Sequence, residues 1–276
     1  MIELLEGLLG RPVVLEDLKH KRRRRSTWRA VGSRGRAIVK RYESDRARAV
    51  AERVAVLAAG PPEPVLPELL AVDPDLRVIV LSEVPGAPFR HAVLAGDLAA
   101  CARVGSALAR WHNAWDDEKP SGFRAHTVDR ELDILLTQAH AAPSHIGEPV
   151  RAAASTMGGD WVCSTVVHRD LYEEQVLVGE RIGLIDLDDA ALGPPELDLG
   201  NLVAHLELLG FRSGHSLAVP AQAVLDGYSR VAPADLVLLD RLRRLSLLRL
   251  ACIHREPILV SMATARESEC QDLWER

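Results

Sequence analysis

Aromatic residues are scarce in this sequence, making up 4% of its 276 residues. Proteins that grip single-stranded nucleic acid stack bases on aromatic side chains set among basic ones, so the composition argues against a nucleic-acid partner. Cysteine is sparse too. Cys101, Cys163, Cys252 and Cys270 are the four, and they are widely scattered. No short pair among them suits zinc, and no dense framework staples a secreted mini-domain. They are expected as reduced thiols in a cytoplasmic protein. Nor does any apolar run approach the roughly 18 residues of a membrane span. The first residues, MIELLEGLLGRPVVLED, carry acids and lack the positive region of a targeting signal. No membrane association is expected.

What is present is ordinary in kind and uneven in distribution. Apolar residues make up 47% and charged residues 26%, which places the chain with folded rather than disordered proteins. Its length suits one compact unit of two lobes. The net charge of −5 conceals an asymmetry: residues 1–59 hold 15 Lys and Arg against 7 Asp and Glu, and residues 60–276 hold 19 against 32. Surface charge drifts along any chain, but a basic first lobe and an acidic second one also suit a polyanion on one side and metal ions or a cationic substrate on the other.

Three short β-like runs open the chain, at 12–16, 26–31 and 36–42, the last two joined by the Gly32-Ser33-Arg34-Gly35 turn. A helix is expected from Ser44, its cap, because Ala47, Val50, Val54 and Leu57 recur at helical spacing before Gly60-Pro61-Pro62. Residues 77–81 read as a further strand and 84–88 as the connector that leaves the first lobe. Beyond residue 90 the pattern is mainly helical, with helices expected around 98–112, 128–141, 196–209, 221–231, 235–255 and 258–274. One island of short apolar strands, at 165–168, 175–178 and 181–186, interrupts them. Polar loops held between buried strands are where catalytic groups tend to sit.

That island carries the chemistry. An H-x-D triplet, His168-Arg169-Asp170, follows one apolar strand, and another strand delivers Asp186 sixteen residues later. Phosphoryl transfer needs such a division of labour: one carboxylate orients or deprotonates a hydroxyl, and another holds the Mg²⁺ that neutralises the phosphates. Acids are also common at the starts of loops after strands, so either aspartate alone would carry little weight.

Residues 166–202, VVHRDLYEEQVLVGERIGLIDLDDAALGPPELDLGNL, resemble the aminoglycoside phosphotransferase and choline kinase superfamily. Its signature is H-x-D-x-x-x-x-N followed by an I-D-[WFL]-[DE] strand end. The resemblance implies Asp170 as catalytic base, Asp186 as the magnesium-binding aspartate and Asp198 as a buried acid bracing the catalytic loop, with His168 structural. It implies Lys40, in AIVKRY, as the phosphate-binding lysine of the third strand, with Glu52 on the following helix as its partner. A solvated helix face is the other reading of Glu52. It further implies that LSEVPGAPF is the hinge, where backbone groups around Glu83 and Val84 would read the adenine edge.

The sequence departs from the family pattern twice. Gln175 stands where the signature has its metal-binding asparagine, keeping the amide oxygen but moving it one methylene outward. The nucleotide-covering loop is replaced by KHKRRRRS, residues 19–26, which has no glycine to let the backbone approach phosphate. Its arginines Arg22 to Arg25 could clamp phosphate with side chains, form a solvated hairpin tip or serve as a basic patch.

The expectation is therefore an α+β, bilobal protein-kinase-like fold, with an antiparallel-sheet nucleotide-binding lobe at 1–84 and a mainly helical catalytic lobe at 85–276. With ATP and Mg²⁺ it would move the γ-phosphoryl group to a hydroxyl of a small molecule such as an aminoglycoside-like antibiotic, a sugar or an amino alcohol. A protein kinase is disfavoured, because no A-P-E-like segment follows Asp186 and GPPELD arrives at once. The alternative is a catalytically silent, nucleotide-binding scaffold, in which Gln175 and the glycine-free loop mark decayed chemistry.

Overall fold

The computed structural model describes residues 1–21, 25–115 and 119–265. In chain order the elements begin with α1 (Ile2–Leu9), β1 (Val14–Lys21), β2 (Arg25–Gly32), β3 (Gly35–Tyr42), α2 (Ala47–Ala58), β4 (Leu69–Asp73) and β5 (Val78–Ser82). They continue with β6 (Ala87–Pro88), α3 (Phe89–Leu94), α4 (Leu98–Asn113), α5 (Val128–Ala141), α6 (Ser144–Ala154), β7 (Thr165–Val167), β8 (Val176–Val178), β9 (Ile182–Leu184) and β10 (Ala191–Gly193). The chain closes on α7 (Glu196–Ser213), α8 (Ala218–Ser229), α9 (Leu236–His254) and α10 (Ile258–Thr264). The expected α+β class is borne out. Among the described residues, no helix is long and apolar enough to cross a membrane.

The chain forms two compact units. The first is Met1–Gly86 with Gly179–Asp188, and the second is Ala87–Val178 with the described residues from Asp189 onward. Chain order put Asp186 in the stretch expected as the helical lobe, yet its strand packs with the first unit. Within that unit an antiparallel sheet runs in the order β1-β2-β3-β5-β4. The β2–β3 register pairs Gly32 with Gly35 across Ser33-Arg34, and Gly35 takes a φ of 146° that glycine adopts at little cost.

Side chains alternate across a strand, and this sorts the sheet into two faces. Ala30, Ala37, Val39, Val78 and Val80 pack with Leu5 and Leu9 of α1. Ile38, Tyr42, Ile79 and Leu81 pack with Val50, Ala51 and Val54 of α2. Lys40, between Ile38 and Tyr42, is thereby committed to the α2 face. Ser44 is not the cap that its side chain suggested: α2 begins at Ala47, with Arg46 at the N-cap and no side-chain cap bond.

Gly179–Asp188 is tied to the sheet-bearing unit through Val65. Val65 donates its N–H to the Ile182 carbonyl at 2.7 Å and accepts from Leu184 N–H at 3.0 Å. The Glu63 carboxylate accepts the Ile182 N–H at 3.0 Å. Several elements were not anticipated, α1, β4, α6 and β10 among them. α1 is eight residues long and gains its stability from tertiary packing; β4 is an edge strand whose sequence, LLAVD, does not alternate apolar with polar residues; α6 runs through Pro149, which reads as a breaker.

In the second unit, α5, α6, α7, α9 and α10 bury a common core that includes Leu135, Ile146, Val150, Leu197, Leu242, Leu245 and Leu259. Asp97 caps α4, its side chain accepting the Ala100 N–H at 2.9 Å, which removes one of the orphan donors of a helix start. α4 and α8 approach so closely that glycine is required at their crossing. A Cβ on Gly105 would lie 1.9 Å from the Val224 carbonyl oxygen, and one on Gly227 would lie 2.1 Å from that of Ala102. Gly105→Ala is expected to force the helices apart and to cost about 1–3 kcal/mol, the usual range for overpacking. Urea unfolding of wild type and variant would measure it, and equal midpoints would refute the close-crossing account.

Candidate active site

Strand alternation and register build a charged cluster in the first unit. Arg25 pairs with Tyr42 and Thr27 with Lys40 across β2 and β3, so the side chains of Arg25, Lys40 and Tyr42 emerge on one face. Asp186, just past β9, has a φ of 69°, a left-handed conformation that an aspartate adopts at some cost. A single turn of 3₁₀ helix at Leu187–Asp189 follows and brings Asp188 beside it.

The Lys40 ammonium donates to Asp186 Oδ1 at 3.0 Å and to Asp188 Oδ1 at 2.7 Å. The Arg25 guanidinium spans the same two groups, Nη2 to Asp186 Oδ2 and Nη1 to Asp188 Oδ2. The Tyr42 hydroxyl donates to Asp188 Oδ2 at 3.0 Å. From the α2 side, Arg46 donates to the Asp188 carbonyl at 3.0 Å and Arg53 donates to the same oxygen. Arg25, Lys40 and Asp188 are buried.

Burial disfavours the charges of Asp186 and Arg25, and for both the pairings outweigh it. Desolvation would raise the Asp186 pKa, but the Lys40 charge and the Arg25 hydrogen bond and charge hold it well below the usual carboxylate range. Desolvation likewise opposes the Arg25 charge, yet the bond to Asp186 and the charges of Asp188 and Asp186 raise its pKa. Burial, then the Asp188 charge, push the Tyr42 phenol up.

Glu52 does not take its expected place. It is exposed on α2, off the buried stripe of Val50, Val54 and Leu57, and Lys40 has its charge met by the two aspartates. In the stretch expected as the hinge, the Glu83 carboxylate is engaged with Arg29 at 2.8 Å and Arg36 at 3.6 Å, while Val84 is buried. Arg22, Arg23 and Arg24 lie outside the described residues.

The second unit holds the loop that follows β7. Asp198, in the first turn of α7 and fully buried, accepts the backbone N–H groups of His168 and Arg169, both at 2.7 Å. His112 Nε2 lies 3.2 Å from the same carboxylate, and its Nδ1 is 3.0 Å from the Tyr228 hydroxyl. One turn along α7, Asn201 donates to the Leu171 carbonyl at 2.8 Å and accepts from Arg249. Held at both ends, the loop carries Arg169 at a φ of 71° and leaves Asp170 half-buried. Gln175 is buried, and its N–H returns to the Tyr172 carbonyl at 2.9 Å. His168 is buried too.

Sequence reasoning missed Asp188, Arg25 as an ion-pair partner, Tyr42 and Asn201. Asp188 was legible: it is the closing acid of the I-D-[WFL]-[DE] pattern. Asn201, three residues after Asp198 on one helix face, was legible only after Asp198 had been assigned. Nothing local to Arg25 or Tyr42 announces their partners.

The donor chemistry suits a nucleotide-bound divalent cation. Among the described residues, no three or more His, Cys, Asp or Glu side chains gather into a cage that could hold a metal ion by themselves. Mg²⁺ takes hard oxygen ligands and commonly completes its shell with phosphates and waters rather than with a protein cage. The carboxylates of Asp186 and Asp188 are oxygens of that kind.

The sequence profile of the phosphotransferase enzyme family matches residues 18–236. A putative aminoglycoside phosphotransferase from Ralstonia eutropha superposes with a TM-score of 0.65 at 14% identity, over 100% of this chain and 93% of that one. The aminoglycoside phosphotransferase APH(3'')-Id of Streptomyces rimosus gives 0.65 at 17%, over 91% and 96%. Choline kinase from Cryptosporidium parvum gives 0.64 at 11%, over 98% and 93%. These likenesses establish the protein-kinase-like fold. A probable bifunctional tRNA threonylcarbamoyladenosine biosynthesis protein from Methanothermobacter thermautotrophicus is 36% identical over 107 residues, which span 38% of this chain and only 17% of that protein.

Asp198→Asn would set an amide donor against backbone donors, leaving one of them unpaired at a cost of about 1–3 kcal/mol. Amide hydrogen exchange at His168 and Arg169 should accelerate accordingly. Unchanged protection at both amides would show that this carboxylate does not hold the loop.

Proposed function

Because the chain belongs to the phosphotransferase enzyme family, we propose that it transfers the γ-phosphoryl group of ATP to a hydroxyl of a small-molecule acceptor. The observation that carries this reading is a pair of loops following β7 and β9. Each holds one motif residue in the left-handed region, Arg169 or Asp186, and each presents the carboxylate that the chemistry needs. Strained backbone of this kind persists where the surroundings over-determine it, commonly at functional sites.

Asp170 orients the acceptor hydroxyl and takes its proton as the oxygen bonds to the γ-phosphorus. The bond from that phosphorus to the β–γ bridging oxygen breaks, and ADP leaves. Lys40 meets the α- and β-phosphates as a point charge. Arg46 and Arg53 add positive charge around Asp188, so the region carries more cations than anions and favours a polyphosphate. Asp186 and Asp188 would hold Mg²⁺, which when bound neutralises charge on the phosphates, and Gln175 is the amide whose motif position points to a metal. Since the Glu83 carboxylate is engaged by arginines, the backbone around Glu83 and Val84 is what reads the adenine edge. Cys101, Cys163 and Cys252 are free thiols, in keeping with a cytoplasmic setting.

Relatives of this fold include enzymes crystallised with spectinomycin and streptomycin and a choline kinase. Aminoglycoside-like antibiotics, sugars and amino alcohols are therefore the acceptors to screen, with phosphorylated products read by mass. The second reading, a silent nucleotide-binding scaffold, rests on Gln175 in place of asparagine and on the glycine-free run before β2. Stabilisation by ATP without turnover in any acceptor panel would favour it.

Asp170→Asn should lower turnover by roughly 10²- to 10⁴-fold with ATP affinity little changed. Near-normal turnover would remove Asp170 as the base. Asp186→Asn should weaken binding of Mg²⁺ with nucleotide as well as turnover, and an unaltered Mg²⁺ dependence would refute that role. Gln175 offers a separate check. If the loop is adjusted to glutamine, Gln175→Asn loses activity and raises the Mg²⁺ requirement; a gain on introducing asparagine would favour decayed chemistry.

A further inference from the structure

Asp186 and Asp188 together carry two negative charges, and Lys40 and Arg25 set two positive charges directly on them. The four cancel. A divalent cation approaching these carboxylates therefore meets oxygens already engaged and no net attraction. Mg²⁺ gives up its waters reluctantly, so such a site offers it little before nucleotide arrives.

The two cations are not equivalent. Lys40 lies inside β3, hydrogen-bonded to β2 on one side and β5 on the other, and in the phosphotransferase reading it is the lysine that meets the phosphates. Arg25 is the first residue of β2. Its guanidinium bridges both carboxylates, the residue as a whole is 8% exposed, and Tyr42, its partner in register, donates to the same Asp188. A planar guanidinium with forked donors matches carboxylates and phosphates equally well, so it can exchange one for the other.

Building on the phosphotransferase reading above, we propose that Arg25 is a built-in counter-cation for the metal ligands. Its guanidinium occupies Asp186 and Asp188 in the nucleotide-free protein and yields them when a divalent cation arrives with nucleotide, whose phosphates then take up the Arg25 charge. The device keeps the buried carboxylates neutralised at rest and couples metal binding to nucleotide binding.

The test uses Mn²⁺ as probe, its binding followed by electron paramagnetic resonance, with and without a non-hydrolysable ATP analogue. For wild type, binding of Mn²⁺ alone should be weak and should tighten strongly with the analogue. Absence of Mn²⁺ binding even with the analogue would count against the phosphotransferase reading itself. Arg25→Met removes one of the two positive charges set directly on the carboxylates, which should tighten binding of Mn²⁺ alone by at least about tenfold and shrink the gain from the analogue. Arg25→Lys, which keeps the charge, should stay near wild type. Adding Asp186→Asn to Arg25→Met should abolish the gain. An affinity for Mn²⁺ alone that is unchanged in folded Arg25→Met, or a gain that survives Asp186→Asn, would overturn the proposal while leaving the phosphotransferase reading intact. Wild type gives a test independent of variant folding: the Arg25 Nε–H resonance of ¹⁵N-arginine-labelled protein should shift on saturation with Mg²⁺ and the analogue. An unmoved resonance would equally overturn it.

Discussion

Two aspartates separated by one leucine, Asp186 and Asp188, receive Lys40, Arg25 and the Tyr42 hydroxyl on their carboxylates and Arg46 and Arg53 on the Asp188 carbonyl. Much of the first unit serves this pairing. Removing charges from water costs several kcal/mol each, and only well-made pairs and hydrogen bonds offset it. The sheet register fixes Arg25 beside Tyr42 and leaves Lys40 two residues away on the same face. The Val65 bridge holds the strand that presents the aspartates. The positive φ of Asp186 is sustained by partners on both carboxylate oxygens.

The second unit solves a related problem with different means. Its loop at 168–171 is anchored by hydrogen bonds rather than charge pairs: one buried carboxylate accepts two consecutive backbone N–H groups, and one buried amide reaches the Leu171 carbonyl. Asp198 and Asn201 lie one turn apart on α7, so a single helix sets the loop's shape. That helix is fixed in turn by the core it shares with α5, α6 and α9. A chemical group placed this way is precise without being rigid by itself, since its position is inherited from packed elements.

The proposed activity accounts for the contrast between the units. A charge-dense sheet unit with more cations than acids around Asp188 suits a polyphosphate, whereas the loop after β7 offers one half-buried carboxylate suited to a hydroxyl. Family membership and fold bear on the reaction class; the acceptor belongs to side chains that the motifs do not encode.

Local signals in the sequence determined the strands β2, β3 and β5, the long helices α4, α5, α7 and α9, and the H-x-D and I-D-L-D segments, because periodicity and motif spacing are properties of neighbouring residues. Lys40 and Asp186 were legible as charged groups to be paired, though not with one another. Tertiary structure decided the rest. α1, β4 and α6 exist through burial against other elements, which overrides a short length, a weak alternation and an internal proline. Lys40 met Asp186 and Asp188 rather than Glu52, and Arg25 joined them from 161 residues away in the chain. Which opposite charge a buried cation finds depends on the register and docking of distant strands, and no local pattern records that.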